Sequence, residues 1–218
     1  APAAAQSINV DFQPANAPNG QPPASYGAAA QSPGVWNAVA SDSVTGLVAA
    51  NGTPTTVALA TTALSPTFFD NYDYPNTSGA DQALLDDYHR PDDYFFSWIF
   101  TGLASGEYDV YTIEVQHGNG LWAQVTVPGS SDGTRNLWGD WNGTYVEGNN
   151  YTKHHVTVTN GTVSIDIQVI GLPDYAYLSG IQLVTSDRVG VQQCFGDGSA
   201  ASCPCGNNGL SGHGCGNS

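Results

Sequence analysis

The sequence predicts an all-β fold, a jelly-roll β-sandwich, and three observations carry that expectation. Val163-Ser164-Ile165-Asp166-Ile167-Gln168-Val169 alternates apolar and polar residues without a break, the period of a strand with one buried face. Turn-forming residues are abundant, with 26 Gly and 13 Pro among 218 residues, and they recur at short intervals. The one helical stretch, Asp81 to His89, starts with acid but spans only about two turns, too few to form a layer.

The elements follow in chain order. Ser7 to Phe12, Val35 to Ala40, Gly46 to Ala50 and Thr55 to Thr61 read as strands, and Tyr94 to Phe100 is apolar enough for a central strand covered on both sides. Glu107 to Gln116 leads through the turn Gly118-Asn119-Gly120 into Leu121 to Val127, where Trp122 falls on the polar side. Val156-Thr157-Val158, the turn Asn160-Gly161 and the strand from Val163 read as a hairpin. Tyr177 to Val184 closes the domain. About ten strands with irregular connections and no internal period fit a double-sheet sandwich better than a repeat.

Residues 1–30, with Pro14, Pro18, Pro22 and Pro23, read as an extended N-terminal arm that includes the first strand. Residues 31–187 form the sandwich. From 188 to 218 the chain is rich in Gly, Ser, Asn and Cys and reads as a small disulfide-stapled tail or connector. An arm of this kind is expected to dock on a neighbouring subunit, so removing residues 1–30 is expected to leave a folded domain that no longer assembles.

Nineteen acids against four Lys and Arg give a formal charge of −15, which repels phosphate backbones and anionic lipid alike. Nucleic acid is therefore not an expected partner. No apolar run approaches the roughly 18 to 20 residues that span a bilayer, so no membrane insertion is expected. The chain contains no Met, and Ala1-Pro2-Ala3-Ala4-Ala5 has the small residues found beside a signal-peptidase cut, so a secreted, extracellular or cell-surface location is expected.

In an exported chain Cys194, Cys203, Cys205 and Cys215 read as two disulfides. The pairing is 194 with 203 and 205 with 215, or the crossed alternative. Zinc is the competing reading, weakened by the lack of a CxxC pair.

Ile8-Asn9-Val10-Asp11-Phe12, the segment from Phe100 to Tyr111 and Leu178-Ser179-Gly180-Ile181-Gln182-Leu183 resemble the galactose-binding-like and malectin-like jelly rolls of bacterial surface proteins. Cys194-Phe195-Gly196-Asp197-Gly198, Cys203-Pro204-Cys205-Gly206-Asn207 and Gly214-Cys215-Gly216-Asn217-Ser218 resemble a cysteine motif of large secreted proteins of planctomycete-type bacteria. The resemblance implies carbohydrate binding or a structural and adhesive role, and no catalytic chemistry.

A nucleophilic hydrolase needs Ser or Cys with His and an acid, and no GxSxG occurs. His154 and His155 are adjacent on a strand, so they point to opposite faces and read as surface or half-buried side chains. Sugar binding asks for exposed rings that stack on pyranose faces, with amides and acids for the hydroxyls. Trp138, Trp141 and Tyr145, with Trp122, are the candidates. No cofactor is required by any motif. Calcium prefers short Asp in loops, and Asp70 with Asp73, Asp86 with Asp87, and Asp92 with Asp93 are its candidate ligands. Sequons place candidate glycans on Asn51, Asn76, Asn142, Asn150 and Asn160.

From this reading the expected function is non-enzymatic: a self-assembling subunit of an extracellular fibre, partnered by copies of itself. The alternative is a carbohydrate-binding module of a larger secreted protein.

Overall fold

The computed structural model describes residues 6–74, 76–115, 123–170 and 176–186. The chain divides into two compact units, Ala1–Thr185 and Ser186–Ser218. The four cysteines, Trp122 and the turn at 118–120 lie outside the described residues.

Thirteen strands and one helix are present among the described residues: β1 (Ile8–Phe12), β2 (Trp36–Val39), β3 (Ser43–Thr45), β4 (Ala58–Thr61), β5 (Thr67–Asn71), α1 (Gly79–Leu85), β6 (Asp87–Pro91), β7 (Phe95–Thr101), β8 (Gly106–Ile113), β9 (Ala123–Thr126), β10 (Thr134–Leu137), β11 (Tyr151–Val158), β12 (Thr162–Val169) and β13 (Gly180–Thr185). One sheet has the order β11-β8-β13-β1-β2, a second the order β10-β9-β12-β7-β4-β3, and β5-β6 form a two-stranded ribbon. All pairs are antiparallel except β1 with β2. The molecule is therefore an all-β sandwich, as its patterning predicts.

Period-two patterning explains the core. Ile8, Val10 and Phe12 of β1, Ile181 and Leu183 of β13, and Tyr108 and Val110 of β8 meet Phe96, Trp98, Phe100, Val163, Ile165 and Ile167 from the facing sheet, all essentially inaccessible. The polar partners of that alternation on β12, Ser164 and Asp166, stay half-exposed and bond to each other across 2.6 Å.

Several expectations need correction. Val156–Val158 and Val163–Val169 do not form a hairpin: β11 pairs with β8 in one sheet, while β12 pairs with β7 and β9 in the other. Both segments carry an inward apolar row, and the rows fill the core only when they face each other. Asn160-Gly161 is therefore a corner between layers, with Gly161 at φ 75° and its carbonyl accepting the Leu103 amide at 3.0 Å. The expected helix over 81–89 ends at Leu85, and Asp87–Pro91 is a strand because Phe69 and Phe68 pair it and Leu178 bridges it at His89. No strand covers 46–50, where Val48 makes a single bridge to Pro54. Ser43–Thr45, Thr67–Asn71 and Thr134–Leu137 are strands that their short or mixed patterns do not announce.

Nor do residues 6–30 form a free arm. β1 lies inside its sheet, between β13 and β2, with all five residues buried. The loop that follows folds over the outer face of that sheet, where Ala28 and Ala29 pack in a second cluster with Trp36, Leu84, Leu85 and Ile113. Gln182 of β13 fastens it: Nε2 donates to Asn9 Oδ1 at 3.0 Å and to the Gly27 carbonyl at 3.2 Å, and Oε1 accepts the Ala30 amide at 3.0 Å. These bonds fix a loop in which Ala28 and Gln31 adopt φ 43° and 51°, a conformation costly for residues with a Cβ unless the surroundings impose it.

Candidate functional site

Between Leu137 and Tyr151 a loop carries Trp138, which is exposed, and Trp141 and Tyr145, which pack half-buried against the second cluster; other exposed rings stand at Phe68, Tyr72, Tyr94 and Phe95. Asn150 organises that loop from within. It is inaccessible, its Oδ1 accepts the Val146 amide at 2.8 Å, and its Nδ2 donates to the Asp140 and Thr144 carbonyls at 3.0 and 2.9 Å. The amides of Trp138 and Gly139 both donate to the Asn149 carbonyl, closing the loop base.

Two clefts flank it. The first, of about 460 Å³, is lined by Trp138, Thr134, Asn136, Thr152, Arg135 and Glu147. Trp138 is 41% exposed. Arg135 is already neutralised by Asp132 at 3.2 Å and Glu147 at 3.7 Å. The second cleft, of about 410 Å³, is lined by Trp141, Tyr145, Tyr26, Gln31, Thr144 and Asp81. The Trp141 and Tyr145 rings meet edge to face at 5.0 Å. Tyr145 and Tyr26 hydroxyls lie 2.7 Å apart, and Tyr26 donates to Asp81 Oδ1 at 2.5 Å, so a directed chain runs from Tyr145 through Tyr26 to the carboxylate. Burial, the neighbouring Tyr145 and the bond to Asp81 push the Tyr26 phenol well above its ordinary value, and burial does the same to Tyr145. Both stay protonated donors. Trp141 Nε1 donates to the Asn76 carbonyl at 3.3 Å, fixing the ring.

A larger cleft of about 530 Å³ lies beside Gln6, Ser32, Pro33, Asn51 and Thr53. Among the described residues it is lined by neither aromatic ring nor charged group, and these offer little with which to orient a ligand.

The structure separates what the sequence reading grouped. Trp138 stands in one cleft, Trp141 and Tyr145 in the other, and Trp122 lies outside the described residues. Tyr26 and Asp81 were missed, because only the fold brings positions so distant in the chain against the 138–150 loop. Asn150 is corrected as a glycan acceptor: its amide nitrogen is buried and donates two hydrogen bonds, leaving no room for attachment in the folded chain. Asn51, Asn76, Asn142 and Asn160 are exposed.

The calcium candidates do not converge. Among the described residues no three His, Cys, Asp or Glu side chains are grouped to hold a metal ion. Asp93 instead accepts from the Leu64 and Ser65 amides and the Ser65 hydroxyl, and Asp92 pairs with Arg90 at 3.6 Å. Asp73 accepts from Gln82, Asp70 from the Asn71 amide, and Asp86 from Asn19, Thr77 and the Tyr74 amide. Asp87 is buried without a hydrogen-bond partner among the described residues, as is Asp11. Burial raises both carboxyls, Asp11 further by facing Asp87, and Asp87, with Asp86 and Asp70 nearby, up to about 7.

His154 and His155 do face opposite ways. His154, expected to be a surface or half-buried side chain, is instead buried, with Nε2 3.0 Å from the Gly133 carbonyl. His155 lies between Asp109 at 2.9 Å and Glu107 at 2.7 Å, with Lys153 also on Asp109 at 2.9 Å. His89 is buried against Phe12, Phe69, Phe96 and Trp98, and takes the Trp98 indole proton on Nδ1 at 3.2 Å.

No protein-family model and no curated protein matches the chain. Among solved structures it is similar to a β-glucuronidase of Bacteroides uniformis, at 14% identity and a TM-score of 0.42, covering 83% of this chain but only 18% of that one. It is also similar to a family 35 carbohydrate-binding module of Clostridium thermocellum, at 10% identity and TM-score 0.35, covering 59% of this chain and 92% of the module. A family 35 module from Cellvibrio japonicus overlaps 60% of this chain and 94% of its own, at 11% identity and TM-score 0.33. At this level of overlap, function rests on the chemistry of the clefts themselves. No helix among the described residues is long and apolar enough to cross a membrane.

Proposed function

We propose that the protein is a secreted carbohydrate-binding module that acts by holding a polysaccharide rather than by cleaving it. The observation that carries this reading is the second cleft: the Trp141 and Tyr145 rings sit beside hydroxyl, amide and carboxylate groups fixed by the Tyr145–Tyr26–Asp81 chain. Rings give a sugar's C–H faces an apolar surface, and convergent polar groups orient its hydroxyls. Trp138, in the first cleft, adds a further aromatic surface carried by the same loop, on which a longer glycan is expected to gain contact.

The fibre-subunit reading takes second place. Its carrier was a free arm, and residues 6–30 are spent on the protein's own sheet.

Binding is tested with soluble oligosaccharides by calorimetry and with insoluble polysaccharides by pull-down. Trp141→Ala is expected to raise Kd at least about tenfold, a loss of about 1.4 kcal/mol, and Trp138→Ala to weaken retention on long chains more than binding of short ones. Unchanged binding in both variants, or no retention on any polysaccharide, rules the reading out.

A further inference from the structure

We infer that the cleft of Trp141, Tyr145, Tyr26 and Asp81 selects sugars bearing a protonated amino group, the unacetylated hexosamines. This rests on the carbohydrate-binding reading above and names the class of sugar that its second cleft takes.

Charge placement supports the assignment. Among the described residues Asp81 is the one charged side chain lining this cleft. Its Oδ1 accepts the Tyr26 proton, which leaves Oδ2 to accept from a ligand. Asp73 lies close by, bound to Gln82 of the same helix, and Asp140 precedes Trp141 in the loop. The chain has four basic side chains, and three are in described residues: Arg90 is paired with Asp92, Arg135 with Asp132 and Glu147, and Lys153 with Asp109. None of these three lines the cleft. With a formal charge of −15 behind it, the site repels uronic acids and sulfated sugars and draws in cations.

Ring chemistry points the same way. The faces of Trp and Tyr attract an ammonium group within about 6 Å. Here two phenols and an indole line the same cleft as a carboxylate, so a sugar amine that pairs with Asp81 lies among aromatic rings, with the pyranose face on Trp141. A neutral sugar gains only the stacking. An N-acetyl group removes the charge and adds bulk.

The test compares a β-1,4-linked glucosamine hexasaccharide with its fully N-acetylated counterpart and with cellohexaose, at about pH 5.5, where the amine is charged. The amino form is expected to bind about tenfold more tightly than either other sugar, and the preference is expected to shrink between about 50 and 500 mM salt. Asp81→Asn, which keeps the shape and the acceptor for Tyr26, is expected to remove the preference and its salt dependence while leaving stacking intact. Trp141→Ala retains the protein's charge, so amino-sugar binding that survives it reflects adsorption of a cation to an acidic surface and overturns the inference. Equal affinity for all three sugars with Trp141 still required overturns the amino preference but leaves the carbohydrate-binding reading standing. Absence of binding to every sugar and polysaccharide overturns both.

Discussion

Asn150 shows how one side chain sets the geometry of a site it does not touch. Its three hydrogen bonds span Asp140 to Val146, so the backbone that presents Trp141 and Tyr145 is held by a buried amide. Asn150→Ala strands the Val146 amide and the Thr144 carbonyl and leaves the Asp140 carbonyl with Asn149 Nδ2 alone, and is expected to cost about 2 kcal/mol of stability and to loosen the loop. Urea unfolding measures the first effect; an unchanged midpoint counts against it. In a glycosylating host, peptide mass spectrometry is expected to find Asn150 unmodified, since its nitrogen is committed inside the fold. The sequon is legible in the chain, but its burial is not, because accessibility depends on how the loop closes.

At the scale of elements, the contact of β1, β13, α1 and β6 holds most of the unusual chemistry. Gly180 of β13 lies where an added Cβ meets the Val10 carbonyl at 2.7 Å and Leu84 at 3.1 Å. Gly180→Ala therefore pushes α1 or β1 away, with an expected loss of about 2 kcal/mol, read as a lowered thermal midpoint. Asp11 and Asp87 are buried in this region with no hydrogen-bond donor among the described residues. The Asp87 carboxyl holds its proton up to about 7 in the fold, against 3.8 as the ordinary value. The folded state then binds more protons between those values, so this contribution to stability is present in acid and lost as pH rises from about 4 to about 7. His89 works in the opposite sense: burial pulls it from 6.5 to about 3, so its contribution is lost as pH falls below about 6.5. Asp87→Asn isolates the first effect. Its stability relative to the wild type is expected to improve between about pH 4.5 and 7.5, and a constant difference across that range would contradict the assignment.

For the whole molecule, the decisive strand is the first. β1 closes one sheet between β13 and β2 and contributes Ile8, Val10 and Phe12 to the core, while the loop after it covers the sheet's outer face. Deleting residues 1–30 is therefore expected to abolish folding, giving a chain with collapsed NMR dispersion and no cooperative melt. A well-dispersed spectrum from residues 31–218 would restore the view of these residues as an appendage. Proline spacing suggested such an appendage because prolines mark chain outside regular strands. That a segment with no regular structure still packs, through Gln182 and a pair of alanines, is invisible to periodicity.

By itself the sequence determined the class of the fold, the positions of most of its longer strands, the acidity of the chain and the rings of the 138–150 loop. These are local properties, written in alternation, composition and neighbouring residues. Only the tertiary structure decided that Asn160-Gly161 turns between sheets, that Trp138 and Trp141 serve separate clefts, and that Tyr26 and Asp81 complete one of them. The physical reason is that alternation says which face of a strand is buried but not which sheet it joins. That choice follows from how the apolar rows of distant segments fill a shared core.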